Sequence, residues 1–170
     1  MRIDTTRYAE DKACAKPEGL RERLMRELAP VVEGIELQRN RCLVATYIRP
    51  NITGGGIILT DKTSEEDRWQ GKVGLLLKVG PTAFDYEELH ERADALMDEA
   101  AEAGTEMSVD DARGIAASAL GLPRVGDWVA YRTSETHEVG IEVAPGICAS
   151  CRQIYDESIV MVCADPSKIW

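Results

Sequence analysis

The sequence predicts a mainly β protein: a small barrel carrying an N-terminal helical arm and an inserted helical hairpin. Three observations lead there. Short apolar runs bounded by Gly, Pro and Asp turns recur on both sides of the chain's middle. The middle differs in composition and in period, since Ala83 to Arg113 holds eleven acids and two arginines, a net −9 within a chain of net −10. Near the start, Leu20, Leu24, Met25 and Leu28 recur at helical spacing. The expected organisation is an arm and helix over 1–33, a barrel built from 34–82 and 124–170, and an acidic helical insertion over 83–123.

A chain of 170 residues can bury a core without staples. Hydrophobic residues are 44% and aromatic residues 5%, with a single Phe, so Val, Ile, Leu and Ala must fill that core. No apolar run approaches the roughly 18 residues of a membrane span. The first ten residues lack the apolar core of a signal peptide, which points to synthesis in the cytoplasm. A net charge of −10 argues against nucleic acid as a ligand, because neutralising phosphates needs clustered Lys and Arg.

The first helix opens at Pro17, a residue suited to a first turn, and its pattern ends at Pro30. It packs either on the domain or on a neighbouring subunit. Arg41 to Ile48 reads as a strand stopped by Pro50-Asn51, and Asn51 to Gly56 is loop by composition. Ile57-Ile58-Leu59 is apolar between two polar stretches. Gly71 to Val79 is a second strand, with Gly74 a candidate bulge and Gly80-Pro81 its end.

In the acidic segment, Asp85 with Glu88 resembles a helix N-terminal box. The stripe Tyr86, Leu89, Ala93, Leu96, Met97 and Ala100 follows, and Gly104 stops it. Ser108 with Asp111 starts a second stripe, Ala112, Ile115, Ala116, Ala119 and Leu120, which Gly121 and Pro123 end. Two short amphipathic helices with a small loop make a hairpin. Strands return at Val125 to Tyr131, at Val139 to Val143, and in a closing run over 152–162.

The five cysteines are Cys14, Cys42, Cys148, Cys151 and Cys163, an odd number that is no secreted disulfide framework. Cys148 and Cys151 form a lone C-x-x-C. Zinc needs about two more ligands, and His137 and Cys163 stand at no recognised spacing. No metal or cofactor is therefore expected. Catalysis is not expected either. His90 and His137 are the only histidines, Gly54-Gly55-Gly56 is not followed by Lys-Ser/Thr, and no Ser or Cys occupies a nucleophile motif.

Several pieces, in order, resemble the GroES-like chaperonin-10 family. Ile35-Glu-Leu-Gln-Arg-Asn-Arg41-Cys-Leu-Val looks like the family's opening I-x-P-L-x-D-R-V-x-V, with Leu37, Gln38 and Asn40 in place of Pro, Leu and Asp. Gly55-Gly56-Ile57-Ile58-Leu59 looks like the G-G-I-[VI]-L of the mobile loop. Gly74 to Pro81 and Val125-Gly126-Asp127-Trp128-Val129 are similar to two further strands, and Asp156 to Val162 to the last. The resemblance covers 35–81 and 124–165. The tail from Cys163 to Trp170 looks like those of longer, bacteriophage-encoded members.

The resemblance implies a homo-oligomer in which Ile35 and Leu37 of the opening strand meet Ile159 and Met161 of a neighbour's closing strand. It also implies a partner-binding loop at Gly55, Gly56, Ile57, Ile58 and Leu59. Two functions follow as expectations. One is a non-enzymatic bacteriophage virion protein, a capsid decoration, cement or neck component. The other is a virus-encoded co-chaperonin capping a host GroEL-like ring through its Gly54 to Leu59 loop, to help fold a capsid protein. Either places the protein in the virion or the host cytoplasm.

Overall fold

The computed structural model describes residues 2–3, 17–48, 72–144 and 147–169. In chain order they form β1 (Arg2–Ile3), α1 (Pro17–Glu33), β2 (Arg41–Thr46), β3 (Val73–Val79), α2 (Glu87–Glu102), α3 (Val109–Ala119), β4 (Trp128–Tyr131), β5 (His137–Ala144), β6 (Ile147–Tyr155) and β7 (Ile159–Cys163), with three short 3-10 turns. All seven strands belong to one sheet, in the order β7-β4-β3-β2-β6-β5, with β1 parallel to β6 beside Cys148 and Ala149.

The expected barrel is not formed. The fold is mixed α/β, and its sheet is open and uncurled, ending in β7 on one side and β5 on the other. Two physical reasons stand out. First, β2 is buried from Cys42 to Thr46 and β3 from Val73 to Leu77, without alternation. Continuous burial means that both faces of the sheet are covered, whereas a small barrel turns every second residue outward. Second, the run over 152–162 is two strands. It breaks at Asp156-Glu157-Ser158, a 3-10 turn, so that β6 pairs with β2 and β7 crosses to β4 on the far side of the sheet.

One face is covered by α1. Leu20, Leu24, Leu28 and Val32 recur every four residues and pack with Leu43, Ala45, Leu75, Leu77, Trp128, Ile141, Ala149 and Cys151. Each buried leucine contributes roughly 1.5–3 kcal/mol. The helix does not stop at Pro30 as expected but runs on to Glu33. Val32 anchors that last turn in the core, and the Lys78 ammonium donates to the carbonyls of Val32 (3.1 Å) and Glu33 (3.0 Å), satisfying groups a helix end leaves open.

The opposite face carries Cys42, Val44, Leu76, Phe84, Val129, Tyr131 and Ile154. A third, smaller cluster of Leu89, Ala93, Ala112 and Ala116 joins α2 to α3, and Leu122 packs against both of these clusters. The helix ends follow the local chemistry. Ser108 accepts from the Asp111 amide, and Gly104 and Gly121 take positive φ just past the two helices. The expected cap at Asp85 is absent. Tyr86 is the N-cap and makes no side-chain cap bond, because Asp85 is engaged by His90 and Arg113 instead.

Candidate functional site: an uncharged sheet edge beside the hairpin root

The two outer strands of the sheet differ. β5 alternates Val139, Ile141 and Val143 toward the α1 core with Glu138, Gly140 and Glu142 outward. Charged residues on an edge strand discourage pairing with another chain. β7 reads Ile-Val-Met-Val-Cys and has no charge. Among the described residues it pairs with β4 alone, and Val160, Met161 and Val162 are 57%, 50% and 44% exposed. Three adjacent aliphatic side chains half in water on an unpaired edge make an adhesive surface.

A groove of about 170 Å³ lies against this strand. Ile159 to Val162 form one wall. Phe84, Tyr86, Gly121, Leu122 and Pro123, from the two stems of the hairpin, form the other. At about 30 Å³ per water it admits one side chain or a few waters.

Asp156 lies under the groove at 3% exposure. Its Oδ1 accepts from the Asn40 amide nitrogen (2.9 Å) and from the Glu157 N–H (2.7 Å), and its Oδ2 from the Phe84 N–H (2.7 Å). The Asp156 N–H donates in turn to the Asn40 carbonyl (3.0 Å). Tyr86 lines the groove beside the same carboxylate, and burial, then the Asp156 charge, push its hydroxyl up to about 12. A buried carboxylate is costly unless its lone pairs are filled, and here they are. One side chain thus ties the start of β2, the first stem of the hairpin and the start of β7.

The residues expected at a subunit interface divide between two places. Ile159 and Met161 lie on β7, at the edge. Ile35 and Leu37 lie in the connection between α1 and β2 and pack against the α1 core. β2 itself is interior, with β3 on one side and β6 on the other, so its own edges are not open to a neighbour. Gly55, Gly56, Ile57, Ile58 and Leu59 lie outside the described residues.

Cys148 and Cys151 sit three apart on β6. Successive side chains on a strand alternate faces, and three residues span about 10 Å, so this pair cannot close a disulfide. Cys42, Cys148, Cys151 and Cys163 are free thiols. Burial pushes Cys42 and Cys151 up to about 12, with the Asp156 charge adding to the effect at Cys42. Such thiols are poor nucleophiles and poor metal ligands. Among the described residues no group of three or more His, Cys, Asp or Glu could hold a metal ion. None of the helices there is long and apolar enough to cross a membrane.

Sequence reasoning missed Tyr86, Leu122, Pro123 and Val162 as partners of Ile159, because their proximity depends on where β7 lies in the sheet. One signal was present. The polar triplet Asp156-Glu157-Ser158 interrupts an otherwise apolar run, as a turn does. No protein-family model matches the chain, and no curated protein matches it.

Proposed function

We propose that this chain is a non-enzymatic assembly protein that joins copies of itself by adding a neighbour's extended segment to the free edge of β7. The observation that carries the reading is the contrast between the two sheet edges, β5 bearing outward glutamates and β7 bearing none. The same chain supplies a fitting segment. Ile35 to Gln38 alternates half-buried and exposed positions, and the peptide groups of Glu36 and Leu37 make no backbone hydrogen bond among the described residues. Strand addition satisfies both sets of open groups. Because the two surfaces differ, the contact is head-to-tail and builds a ring or a filament.

This reading keeps the structural half of the expectation from the sequence, a component of a particle such as a bacteriophage virion, and does not lean on a GroES-like barrel. The chaperonin-lid alternative rested on that barrel and on residues outside the described ones, and is not carried further.

The test is light scattering after size exclusion at micromolar concentration. Wild type should elute as a closed oligomer or longer species, and Met161→Lys as a folded monomer with the same circular dichroism. A monomeric wild type, or an oligomer that survives Met161→Lys and Val162→Lys together, overturns the reading. Mass spectrometry of purified virions, read as copies per particle, tests the viral setting.

A further inference from the structure

We infer that the helical hairpin is a hinged arm, latched to the sheet by the Asp156 carboxylate and able to turn about its two stems when that latch opens. The first support is where the cores divide. α2 and α3 bury their apolar faces on each other, in a cluster that shares only Leu122 with the cluster on the sheet. The hairpin is therefore held to the body at its root rather than along its length.

The second support is the backbone of the stems. Phe84 has φ +59, a left-handed conformation that costs a bulky residue of order 1–3 kcal/mol and persists only when its surroundings enforce it. Its N–H is held by Asp156 and its ring is buried in the sheet-side cluster. In the returning stem, Gly121 has φ +68. Each stem thus passes through one left-handed residue next to the groove, strained at Phe84 and relaxed at the glycine.

The third support is how the ionic contacts sort. Asp85, one residue beyond Phe84, binds His90 of α2 (2.9 Å) and Arg113 of α3 (2.5 Å), so it belongs to the hairpin. The Phe84 N–H is tied to Asp156 on the sheet side, and Tyr86 lines the groove beside it. Arg124 repeats the arrangement at the other stem. Its backbone is clasped by Asp127, while its guanidinium reaches the Gly114 carbonyl of α3 at 3.3 Å. Among the described residues the bonds across the boundary are few, with the Phe84 N–H on Asp156 at one stem and Arg124 on Gly114 at the other.

Turning the hairpin away separates Tyr86 and Leu122 from Ile159 and Val162, which widens the groove and uncovers the hairpin side of β7. The latch is thus a gate on that strand. The hinge stands whether or not a neighbour pairs with β7.

The test is amide residual dipolar couplings on the full chain. In wild type one alignment tensor should fit both the strands and the two helices. In Asp156→Asn the helices should keep helical couplings but need their own tensor, of smaller magnitude, and the Phe84 amide should exchange faster while amides inside α2 and α3 stay protected. Asn40→Ala removes one donor to Asp156 and should give the same change in weaker form; it carries the test if Asp156→Asn does not fold. A single tensor that still fits the variants, or loss of the helical couplings themselves, overturns the hinge.

Discussion

Replacing Gly80 with alanine should destabilise the protein by about 2–6 kcal/mol, through a steric conflict between two backbones. Gly80 follows β3, and its φ lies outside the left-handed region, so alanine is conformationally allowed there. On conformational entropy alone the change should even help, by about 0.4–1 kcal/mol. The geometry reverses the sign. A Cβ at Gly80 would sit 2.1 Å from the Arg39 carbonyl oxygen and 3.0 Å from that of Arg41. An ordinary contact of this kind is about 3.3 Å. The chain must open by roughly an ångström where Gly80 N–H donates to Arg41 (2.7 Å) and Thr82 N–H to Arg39 (3.2 Å). Losing or stretching those two bonds costs about 0.5–1.5 kcal/mol each, and the forced backbone shift adds about 1–3 kcal/mol. Urea unfolding reads the result. With a slope near 2 kcal/mol/M, the midpoint should fall by about 1–3 M at unchanged slope. A loss below about 1 kcal/mol would refute the claim that backbone proximity, rather than turn propensity, selects glycine here.

Gly114 is the opposite case: it lies inside α3 with open space where a Cβ would go, so Gly114→Ala should raise stability by roughly 0.5–1 kcal/mol in the same urea assay. Leu24→Ala should cost about 2–5 kcal/mol, because Leu24 is buried between α1 and the sheet; a cost under 1 kcal/mol would show that the helix does not belong to the core. Stability should be level near neutral pH and fall as pH rises from 9 toward 12. Cys42 and Cys151 hold their protons to about 12 in the folded protein while the unfolded chain releases them near 9, so above 9 the unfolded state binds fewer protons and is favoured. Midpoints that stay level through pH 11 would contradict that linkage. In native protein at pH 8, a thiol reagent should spare Cys42 and Cys151, and unfolding should expose both; mass spectrometry of the labelled peptides reads this.

Local chemistry was legible in the sequence, and long-range arrangement was not. Ser108, Gly104 and Gly121 mark helix ends because capping and left-handed turns depend on neighbours within a few residues. The four-residue spacing of Leu20, Leu24 and Leu28 announced an apolar helix face, but not that the face would close over this sheet. The barrel expectation fails at β2 and β3, whose unbroken apolar character signals cover on both faces. Pro30 was read as a stop because propensity is local, whereas Val32 and Lys78 hold the last turn from across the fold. Of the residues expected at an interface, Ile159 and Met161 lie on the edge strand β7. The groove depends on β7 crossing to β4, and no periodicity in a strand reports which strand will lie beside it.

The two stems of the hairpin leave and rejoin the body beside each other, Phe84 and Leu122 lining one groove and packing in one cluster. For an engineer this is a docking port. The segment between them can be exchanged as a cassette, and a reporter or binding peptide spliced at the turn between Gly104 and Ser108 would sit a whole helix length, about 20 Å, from the sheet. Such a chimera would carry its cargo away from the strand edge that is proposed to join copies, so payload and assembly could be varied separately.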